Sequence, residues 1–397
     1  MKDIRESLGL RRVINVSGTM TSLGASIAVP EAIEAASQIL PHFVEIGALQ
    51  KHASRVIAEV CGSEAGFVTA SCSAGLTIAV AGTMTGPDLG AVERLPDTTR
   101  LKNEVVIQTG HLINYGAPVD QAIRLSGARI VPVGQSTTGR RYQLESAITE
   151  QTTAAVFVIS HHAVQYGLIE LDEFIEVCHA RNVPVIVDAA SEYELRRFLA
   201  MGADICLYSA HKFMGGITAG IVVGKREHVR NAYLQNIGIG RGMKVGKEGI
   251  LATAATLQAW VRRDHAADRR RQDANLQCWQ QALVGCAGIR ADILPDPTGN
   301  PLSRLRVQVD PELAHISAWD LADLLSQAER PIIVRDDEID QGYFEMDPCN
   351  VHDGEADVVA TLLRNVVQAA AQRASATVTP VHQRRNRSAQ ALLNWPD

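Results

Sequence analysis

The chain has 397 residues, of which 46% are hydrophobic and 21% are charged. This composition is typical of a folded globular protein, and the length suits one large domain with a smaller one. The formal net charge of −6 gives no sign of a nucleic-acid-binding surface, and no window reaches the roughly 20 apolar residues of a membrane span.

The N-terminal stretch MKDIRESLGLRRVINVSG has no apolar core of signal-peptide length, so we expect a cytoplasmic protein. Residues 1–50 precede the first regular alternation of helices and strands, and they are predicted to form an N-terminal segment that contributes to the active site. The seven cysteines of the chain are scattered, with no CxxC pair, so the sequence predicts reduced thiols and neither a disulfide framework nor a metal site.

Residues 51–250 alternate helical patterns with short runs rich in Val and Ile, which predicts a large α/β domain. The runs do not alternate apolar with polar residues, as expected for strands buried on both faces of a mostly parallel sheet. They are EVVIQTG (104–110), ARIVPVG (128–134), AAVFVIS (154–160), VPVIVDAA (183–190), ADICLYSA (203–210) and AGIVVG (219–224). The intervening segments 171–182 and 191–202 are predicted helices.

Beyond residue 250 the pattern changes to that of a smaller α+β domain, residues 251–375. A long linking helix is predicted over 250–282. It is followed by an alternating strand at 304–310, an amphipathic helix at 317–329, strands at 331–339 and 342–348, and a last helix at 354–373. The polar, basic residues 376–397 are predicted to be a flexible tail.

One lysine stands where a buried strand ends, in the stretch YSAHKFMGG (208–216). Asp188 ends the preceding predicted strand, so two neighbouring parallel strands would place Asp188 and Lys212 at one carboxyl edge, where open α/β sheets bind ligands. A structural salt bridge is one interpretation of this pair. Pyridoxal phosphate offers another, because it needs a lysine for its Schiff base and a carboxylate for its ring nitrogen.

The same cofactor needs a phosphate cup and a group against its ring. TASCSAGL (69–76) precedes an apolar helix, and small residues at a helix N-terminus suit a phosphate dianion. Ser209 and His211 beside the lysine add donors. His111 or Tyr115 could cover the ring face, and His111 is preferred because it directly follows the strand-ending Gly110. A histidine with a purely structural role remains an alternative.

These motifs together resemble the fold-type I, aspartate aminotransferase-like, pyridoxal-phosphate enzymes. Within them the chain resembles the branch that contains L-seryl-tRNA(Sec) selenium transferase and D-glucosaminate-6-phosphate ammonia-lyase. The resemblance spans roughly residues 10–365. It rests on RRVINVSGTMTSLGAS, TASCSAGL, VDAASE, YSAHKFMGG, GRGMKVGKEGI (240–250) and FEMDPCNVHDGEAD (344–357).

The resemblance implies a role for each matching residue. Lys212 would form the Schiff base, Asp188 would pair with the ring nitrogen, and His111 would stack on the ring. The phosphate would be lined by Ser71, Cys72, Ser73 and Ser209, and the substrate side would hold Asn15, Ser17, Gly18 and Thr19. The active site would lie at a dimer interface, with Lys244 and Lys247 reaching the neighbouring subunit's site; a surface basic loop is the alternative for these two lysines.

The reaction is less constrained than the cofactor. Lys212, once released by the substrate amine, could act as a base at Cα. The resemblance favours α,β-elimination from a small hydroxylated amino acid or amino-sugar acid, which gives ammonia and a 2-keto acid. Arg335 is the candidate for a substrate carboxylate, and Arg241, Lys244 and Lys247 are candidates for a substrate phosphate.

Other reactions remain open at this stage. A racemase would need a second acid or base, for which His111, Tyr115, His161 or a cysteine could serve. Transamination and a non-catalytic cofactor-binding role are further alternatives. Selenium transfer is disfavoured because the chain begins near the core signature, without the tRNA-binding domain of that relative. We therefore expect a small-molecule substrate, with no nucleic-acid or membrane partner.

Overall fold

A computed structural model describes residues 3–373, 375–376 and 378–396. By backbone contacts the chain forms two compact units. Residues Ser26–Arg263 form one, here called the large unit, and the flanking N-terminal 25 residues and the chain from Asp264 onward form the other, here called the small unit. The prediction instead placed the boundaries at residues 50/51 and 250/251.

The strands of the described chain are β1 (Ile14–Val16), β2 (Ala65–Thr69), β3 (Glu104–Gln108), β4 (Arg129–Val133), β5 (Thr152–Val158), β6 (Val185–Asp188), β7 (Ile205–Ser209), β8 (Gly220–Gly224), β9 (Ile289–Pro295), β10 (Ser303–Val309), β11 (Ile332–Val334) and β12 (Tyr343–Met346).

The α-helices of the described chain are α1 (Ile4–Ser7), α2 (Pro30–Ile39), α3 (Ile46–Cys61), α4 (Cys72–Thr85), α5 (Leu89–Arg94), α6 (Val119–Arg124), α7 (Arg141–Ala147), α8 (Leu171–His179), α9 (Arg197–Ala200), α10 (Arg226–Leu234), α11 (Lys247–Arg262), α12 (His265–Leu283), α13 (Pro311–Ala314), α14 (Ala318–Gln327), α15 (Glu355–Ala371) and α16 (Val381–Leu393).

The large unit is built on a seven-stranded sheet in the order β2-β8-β7-β6-β5-β3-β4. The pairings from β4 through β7 are parallel, and β8 runs antiparallel to both of its neighbours. Every residue of β2, β3, β5, β6, β7 and β8 is buried, which explains why these runs lack an alternating pattern.

Helices cover both faces of this sheet. Side chains of α3, α8 and α11 form one buried apolar cluster with one face of the strands. Side chains of α4, α6 and α10 form a second cluster with the other face. Helix α4 is buried on nearly all sides, in keeping with its almost wholly apolar sequence. The result is a three-layer α/β/α arrangement that holds the carboxyl ends of β5, β6 and β7 in a fixed register.

The small unit has its own core. An antiparallel sheet in the order β12-β10-β9 lies with the parallel pair β1-β11, and α12, α14 and α15 supply apolar side chains to the same cluster. Ser317 caps α14 by accepting a hydrogen bond from the Asp320 N–H, as its sequence pattern predicts. Strands β1, β2 and β9 were not predicted.

Three segments differ from the sequence-based expectation. The helix predicted over 191–202 is reduced to α9, because its first residues turn: Tyr193 packs against the rings of Phe213 and Trp260. The helix predicted over 250–282 is two helices, since Arg263 is extended and Asp264 caps α12 by accepting the Ala267 N–H. The predicted flexible tail contains α16.

Within the described residues, no helix has the length and apolar character needed to cross a membrane.

Candidate active site

Two neighbouring strands of the large unit end in the residues that the sequence singles out. Asp188 is the last residue of β6, and Lys212 lies three residues beyond the end of β7. In the sheet register Asp188 is paired with Leu207 on β7 and with Val158 on β5. The parallel direction of these strands therefore brings Asp188 and the Lys212 loop to one carboxyl edge.

Asp188 is a buried carboxyl group, with only 8% of its surface exposed. One of its oxygens accepts hydrogen bonds from the Cys72 thiol at 3.4 Å and from the Ala190 N–H at 3.2 Å. Burial raises the pKa of Asp188, and the charge of Lys212 opposes that rise. A further cation next to Asp188 would therefore stabilise the charged form of this carboxyl group.

Lys212 belongs to a tight turn. Its N–H donates to the Ser209 carbonyl, and the Gly215 N–H donates to the Lys212 carbonyl at 2.9 Å. The neighbouring His211 ring is buried, and its Nδ1 has no hydrogen-bond partner within the described part of the chain. Burial and the nearby Lys212 charge lower the pKa of His211, so a neutral ring sits beside the lysine.

The start of α4 lies at the same edge of the sheet. Ser71 caps the helix by accepting the Ala74 N–H at 3.0 Å, and the N–H groups of Cys72 and Ser73 have no intrahelical partner because they begin the helix. A Cβ at Gly220 on β8 would lie 2.2 Å from the Ser71 backbone, so only glycine allows this close approach. The helix start is thus a small-residue cradle with backbone donors.

Cys72 contributes to this site in a way that the sequence did not predict. Its thiol points to Asp188, while only its backbone N–H belongs to the helix start. Burial and the Asp188 charge raise the pKa of Cys72 well above the usual thiol value, so the sulfur stays protonated and donates to the carboxylate. The side chain therefore supports Asp188, and Cys72 stays a predicted phosphate ligand through its backbone N–H.

His111 and Tyr115 follow β3 and lie near these groups in different roles. His111 is 3% exposed, meets the Phe157 ring edge-on at 4.4 Å and accepts the Val158 N–H at Nδ1. Burial lowers the pKa of His111 to about 4, so the ring is neutral with its proton on Nε2. The Tyr115 hydroxyl donates to the Ser73 hydroxyl at 2.9 Å and so contacts the start of α4 directly.

The glycine-rich loop before α11 is attached to the same region by its backbone. The Met243 carbonyl accepts hydrogen bonds from the Thr69 hydroxyl and the Ala70 N–H, at the end of β2. Lys244 follows as an exposed residue. Lys247 instead donates to the His42 carbonyl, and its ammonium lies 5.8 Å from the centre of the Phe43 ring. Both lysines remain predicted ligands of a neighbouring subunit's site.

The residues predicted on the substrate side belong to the small unit, where they shape the chain after β1. The Asn15 side chain accepts from the N–H and hydroxyl of Ser17 and donates to the Gly18 carbonyl. Asn350 donates to the same carbonyl at 2.9 Å. Gly18 has a φ of +87° with Asp347 directly beside it, so a side chain there would be strained. Thr19 lies next in this turn.

Arg335 follows β11 and is also in the small unit. It is 9% exposed, and its guanidinium lies 3.1 Å from the Asp337 carboxylate. Burial and the neighbouring Arg304 lower the pKa of Arg335. Arg304 is itself neutralised by Asp296 at 2.6 Å and Asp347 at 2.9 Å. Arg335 is therefore a buried cation that is paired with Asp337.

Sequence reasoning missed several residues that shape this region. Asn350 lies inside the quoted stretch FEMDPCNVHDGEAD, so the motif was visible although its contact with Gly18 was not. Ser26 and Arg263, which bind the Lys212 loop, lie 186 and 51 positions from Lys212 in the chain. No local spacing pattern could have joined them to it.

Comparisons with known proteins show which family the chain resembles. Residues 13–276 match the profile of the SelA family, L-seryl-tRNA selenium transferase. A D-glucosaminate-6-phosphate ammonia lyase of Salmonella typhimurium is 38% identical over 369 residues, which is 93% of this chain and 99% of the relative. A 5'-C-glycyluridine monooxygenase-decarboxylase of a Streptomyces species is 35% identical over 360 residues, 90% of each chain.

Solved structures give the same result. A D-glucosaminate-6-phosphate ammonia-lyase structure matches 94% of this chain and all of its own, with a TM-score of 0.84 and 38% identity. Aspartate aminotransferase from Thermus thermophilus, at 14% identity, shares the fold with a TM-score of 0.56 over 92% of this chain and 93% of its own. The predicted α/β, aspartate aminotransferase-like fold class and the predicted resemblance are thus confirmed.

Proposed function

The chain belongs to the L-seryl-tRNA selenium transferase family, and on that premise we propose that it is a pyridoxal-phosphate-dependent lyase. It would remove ammonia from a small hydroxylated amino acid or amino-sugar acid. The 38% identity to an ammonia lyase over almost the whole of both chains supports this reaction class.

One observation carries the cofactor assignment. A buried carboxylate, a lysine and a small-residue helix start converge on one edge of the sheet, through Asp188, the Lys212 loop and α4. Each fits a different part of pyridoxal phosphate: the lysine fits the aldehyde, the carboxylate the ring nitrogen and the helix start the phosphate. The raised pKa of Asp188 supports the fit, because a protonated ring nitrogen beside this buried carboxyl group would favour its charged form.

The bound cofactor would supply an electron sink for the α-carbon of the substrate. Lys212 would hold the cofactor and, once displaced by the substrate amine, would take the α-proton at its Nζ. Asp188 would keep the ring nitrogen charged, and the Cys72 thiol would hold Asp188 in place. Neutral His111 is proposed to cover the ring face. Ser71, Ser73 and Ser209 would bind the phosphate.

Elimination then balances in a simple way. The α-proton would pass to Lys212, which could return it to the departing β-hydroxyl so that water leaves, and hydrolysis of the resulting enamine would return one water and give ammonia and a 2-keto acid. No oxidant or reductant is consumed. Asn15, Ser17, Gly18 and Thr19 are proposed to border the substrate, and Lys244 and Lys247 are proposed anion ligands toward a neighbouring subunit.

Arg335 is proposed to bind the substrate carboxylate, because a guanidinium can donate to both carboxylate oxygens. We expect Arg335→Gln to raise KM by about 10- to 100-fold, because the substitution removes a charge-assisted hydrogen bond to the substrate. The change in kcat should be smaller. Steady-state kinetics would measure this. Arg306→Gln is the matched control, since Arg306 is an arginine of the same unit that pairs with Glu345 at 2.8 Å. Equal KM values in wild type and Arg335→Gln would contradict the assignment.

The reaction itself is tested by a product screen. The holoenzyme is incubated in deuterated water with D- and L-amino acids, hydroxy-amino acids and amino-sugar-acid phosphates, and NMR follows the Cα position and the products. Ammonia with a 2-keto acid would support the lyase and identify its substrate. Deuterium at Cα with mixed configuration and no keto acid would establish a racemase and contradict the proposal.

The relative acting on glycyluridine supports one second candidate. That protein is a monooxygenase-decarboxylase and is 35% identical to this chain. Oxidative decarboxylation would also begin at Cα, but it would consume O₂ and release CO₂. An oxygen electrode added to the same screen separates the two reactions, since elimination uses no oxygen.

We also infer that the chain forms a homodimer or a multiple of dimers, takes a small molecule and acts in the cytoplasm. Large apolar side chains between residues 27 and 46 of the large unit are exposed, with Phe43 fully so; the others are Ile27, Ile33, Leu40 and Ile46. An exposed apolar set of this size supports burial against a second copy. The free thiols of the described chain suit a reducing compartment.

Analytical ultracentrifugation at micromolar concentration is expected to give at least twice the 42.9 kDa chain mass. Phe43→Ser should weaken this association, whereas Tyr142→Ser, at another exposed aromatic residue of the large unit, should not. A fully active wild-type monomer would contradict both the dimer and the shared-site role of Lys244 and Lys247.

A further inference from the structure

We propose that Ser26 and Arg263 are positioning residues for Lys212, which they hold by binding the backbone carbonyl groups of its loop. The inference goes beyond the proposed function, which gives these two residues no role, and it rests on the assignment of Lys212 as the cofactor lysine. Neither residue touches the reacting atoms in this account. Both act through the backbone on which the lysine is mounted.

Ser26 binds the loop at the lysine itself. Its hydroxyl oxygen lies 2.6 Å from the His211 carbonyl oxygen and 2.7 Å from the Lys212 carbonyl oxygen. A hydroxyl has a single proton, which is shared between these two acceptors or alternates between them. The two short distances fix the peptide planes on both sides of Lys212, and with them the direction in which its side chain leaves the backbone.

Arg263 binds the next two residues of the same loop. One terminal guanidinium nitrogen donates to the Phe213 carbonyl at 3.1 Å and the other to the Met214 carbonyl at 2.8 Å. The guanidinium also lies 4.8 Å from the centre of the Trp260 ring, which orients it toward the loop. Arg263 must be extended to make these contacts, and this is where the predicted 250–282 helix is interrupted.

The two side chains form part of a continuous set of contacts. The Gly215 carbonyl accepts the Val29 N–H at 2.7 Å, so five consecutive carbonyl groups, from His211 to Gly215, bind groups from Ser26, Val29 and Arg263. Gly215 has a φ of +73°, which turns the chain so that these carbonyl groups can be reached.

The position of these residues in the chain is also unusual. Ser26 is the first residue of the large unit and Arg263 is the last. The Lys212 loop is therefore held by the two residues at which the chain enters and leaves that unit. A displacement of about 1 Å in a reacting group can cost about 10²-fold in rate, so contacts that fix the lysine backbone matter for turnover.

The test uses Ser26→Ala and Arg263→Met, with Ser26→Thr as the conservative variant. Arg196→Met is the matched control for Arg263, because Arg196 also donates to two consecutive carbonyl groups, those of Glu59 and Val60, elsewhere in the large unit. Ser63→Ala is the control for Ser26, since the Ser63 hydroxyl also donates to a backbone carbonyl. Thermal unfolding checks that each variant is folded.

The first measurement is hydrogen exchange in the cofactor-free protein, followed by mass spectrometry of peptides covering residues 208–217. We expect exchange at Lys212, Gly215 and Gly216 to accelerate by about tenfold in Ser26→Ala and Arg263→Met, the effect of losing one or two hydrogen bonds. The control variants and Ser26→Thr should match the wild type in these peptides. Exchange that is unchanged, or accelerated equally in the controls, would overturn the proposal.

The second measurement is the visible absorption of the bound cofactor against pH, together with kcat and KM. A misplaced lysine should shift the pH midpoint of the absorption change and lower kcat by about tenfold or more, with KM nearly unchanged. If hydrogen exchange accelerates but neither the pH midpoint nor kcat changes, the contacts hold the loop without positioning Lys212 for turnover. That result would also overturn the proposal. An incorrect assignment of Lys212 is detected separately, as a Lys212→Ala protein that still binds the cofactor covalently.

Discussion

Replacing Lys212 by alanine is expected to reduce turnover by at least about 10³-fold while the fold survives. A single positioned acid or base typically contributes 10²–10⁴-fold, and this lysine would be both the covalent anchor of the cofactor and the base at Cα. The loop is held by backbone contacts that do not involve the Lys212 side chain, so the substitution should leave the turn in place. Product formation under saturating substrate is the measurement.

The control for this experiment is Lys225→Ala. Lys225 is a lysine of the same unit, and it pairs with Asp204, which immediately precedes β7, away from the carboxyl edge of the sheet. Its loss should leave both turnover and the colour of the bound cofactor unchanged. Wild-type turnover in Lys212→Ala would end the proposed mechanism, whatever the behaviour of the control.

Asp188→Asn is expected to retain part of its cofactor and lose about 10²–10³-fold in α-proton exchange, comparable to removing one preorganised charged partner from a site. Asparagine can still accept a hydrogen bond, but it cannot hold the ring nitrogen charged, and an uncharged ring is a weaker electron sink. The exchange rate of the substrate α-proton into deuterated water measures this step directly. Unchanged exchange would contradict the role of Asp188.

The cofactor-free form of Asp188→Asn gives a second prediction, which concerns the direction of the change in thermal stability. The folded-state pKa of Asp188 is raised by burial, so its contribution to stability is present at low pH and is lost as pH rises through the folded pKa. Above that folded pKa the buried, ionised carboxylate therefore destabilises the apoprotein. We expect apo Asp188→Asn to unfold at the same temperature as the wild type or a higher one. A large decrease would show that the carboxylate has a structural role.

The large sheet could be predicted well because most of its strands are buried on both faces, although the edge strand β4 has only Val133 buried. Such strands are continuous apolar runs, and the six predicted runs each contain an observed strand, β3 to β8. Asp188 and Lys212 could be placed at one edge of the sheet because neighbouring parallel strands have their carboxyl ends at the same edge. The start of α4 was visible as small residues ahead of an apolar helix.

Other features were hidden because they depend on contacts between distant parts of the chain. The break between α11 and α12 follows from Arg263 reaching the Lys212 loop, and helical periodicity on both sides of the break gives no sign of it. The contact of the Cys72 thiol with Asp188 joins the start of α4 to the end of β6 and could not be seen in the sequence, where Cys72 was placed among the phosphate-lining residues. The ends of β1 and β11, short strands in the small unit, depend on their pairing and not on local sequence.

The most direct test of the account is to reduce the purified holoprotein with borohydride and map the modified peptide by mass spectrometry. Reduction would fix the cofactor to the lysine that holds it. We expect loss of the yellow colour and one phosphopyridoxyl group per chain, on the peptide that contains Lys212. A protein that carries no such group, or carries it on a different lysine, would contradict the central claim.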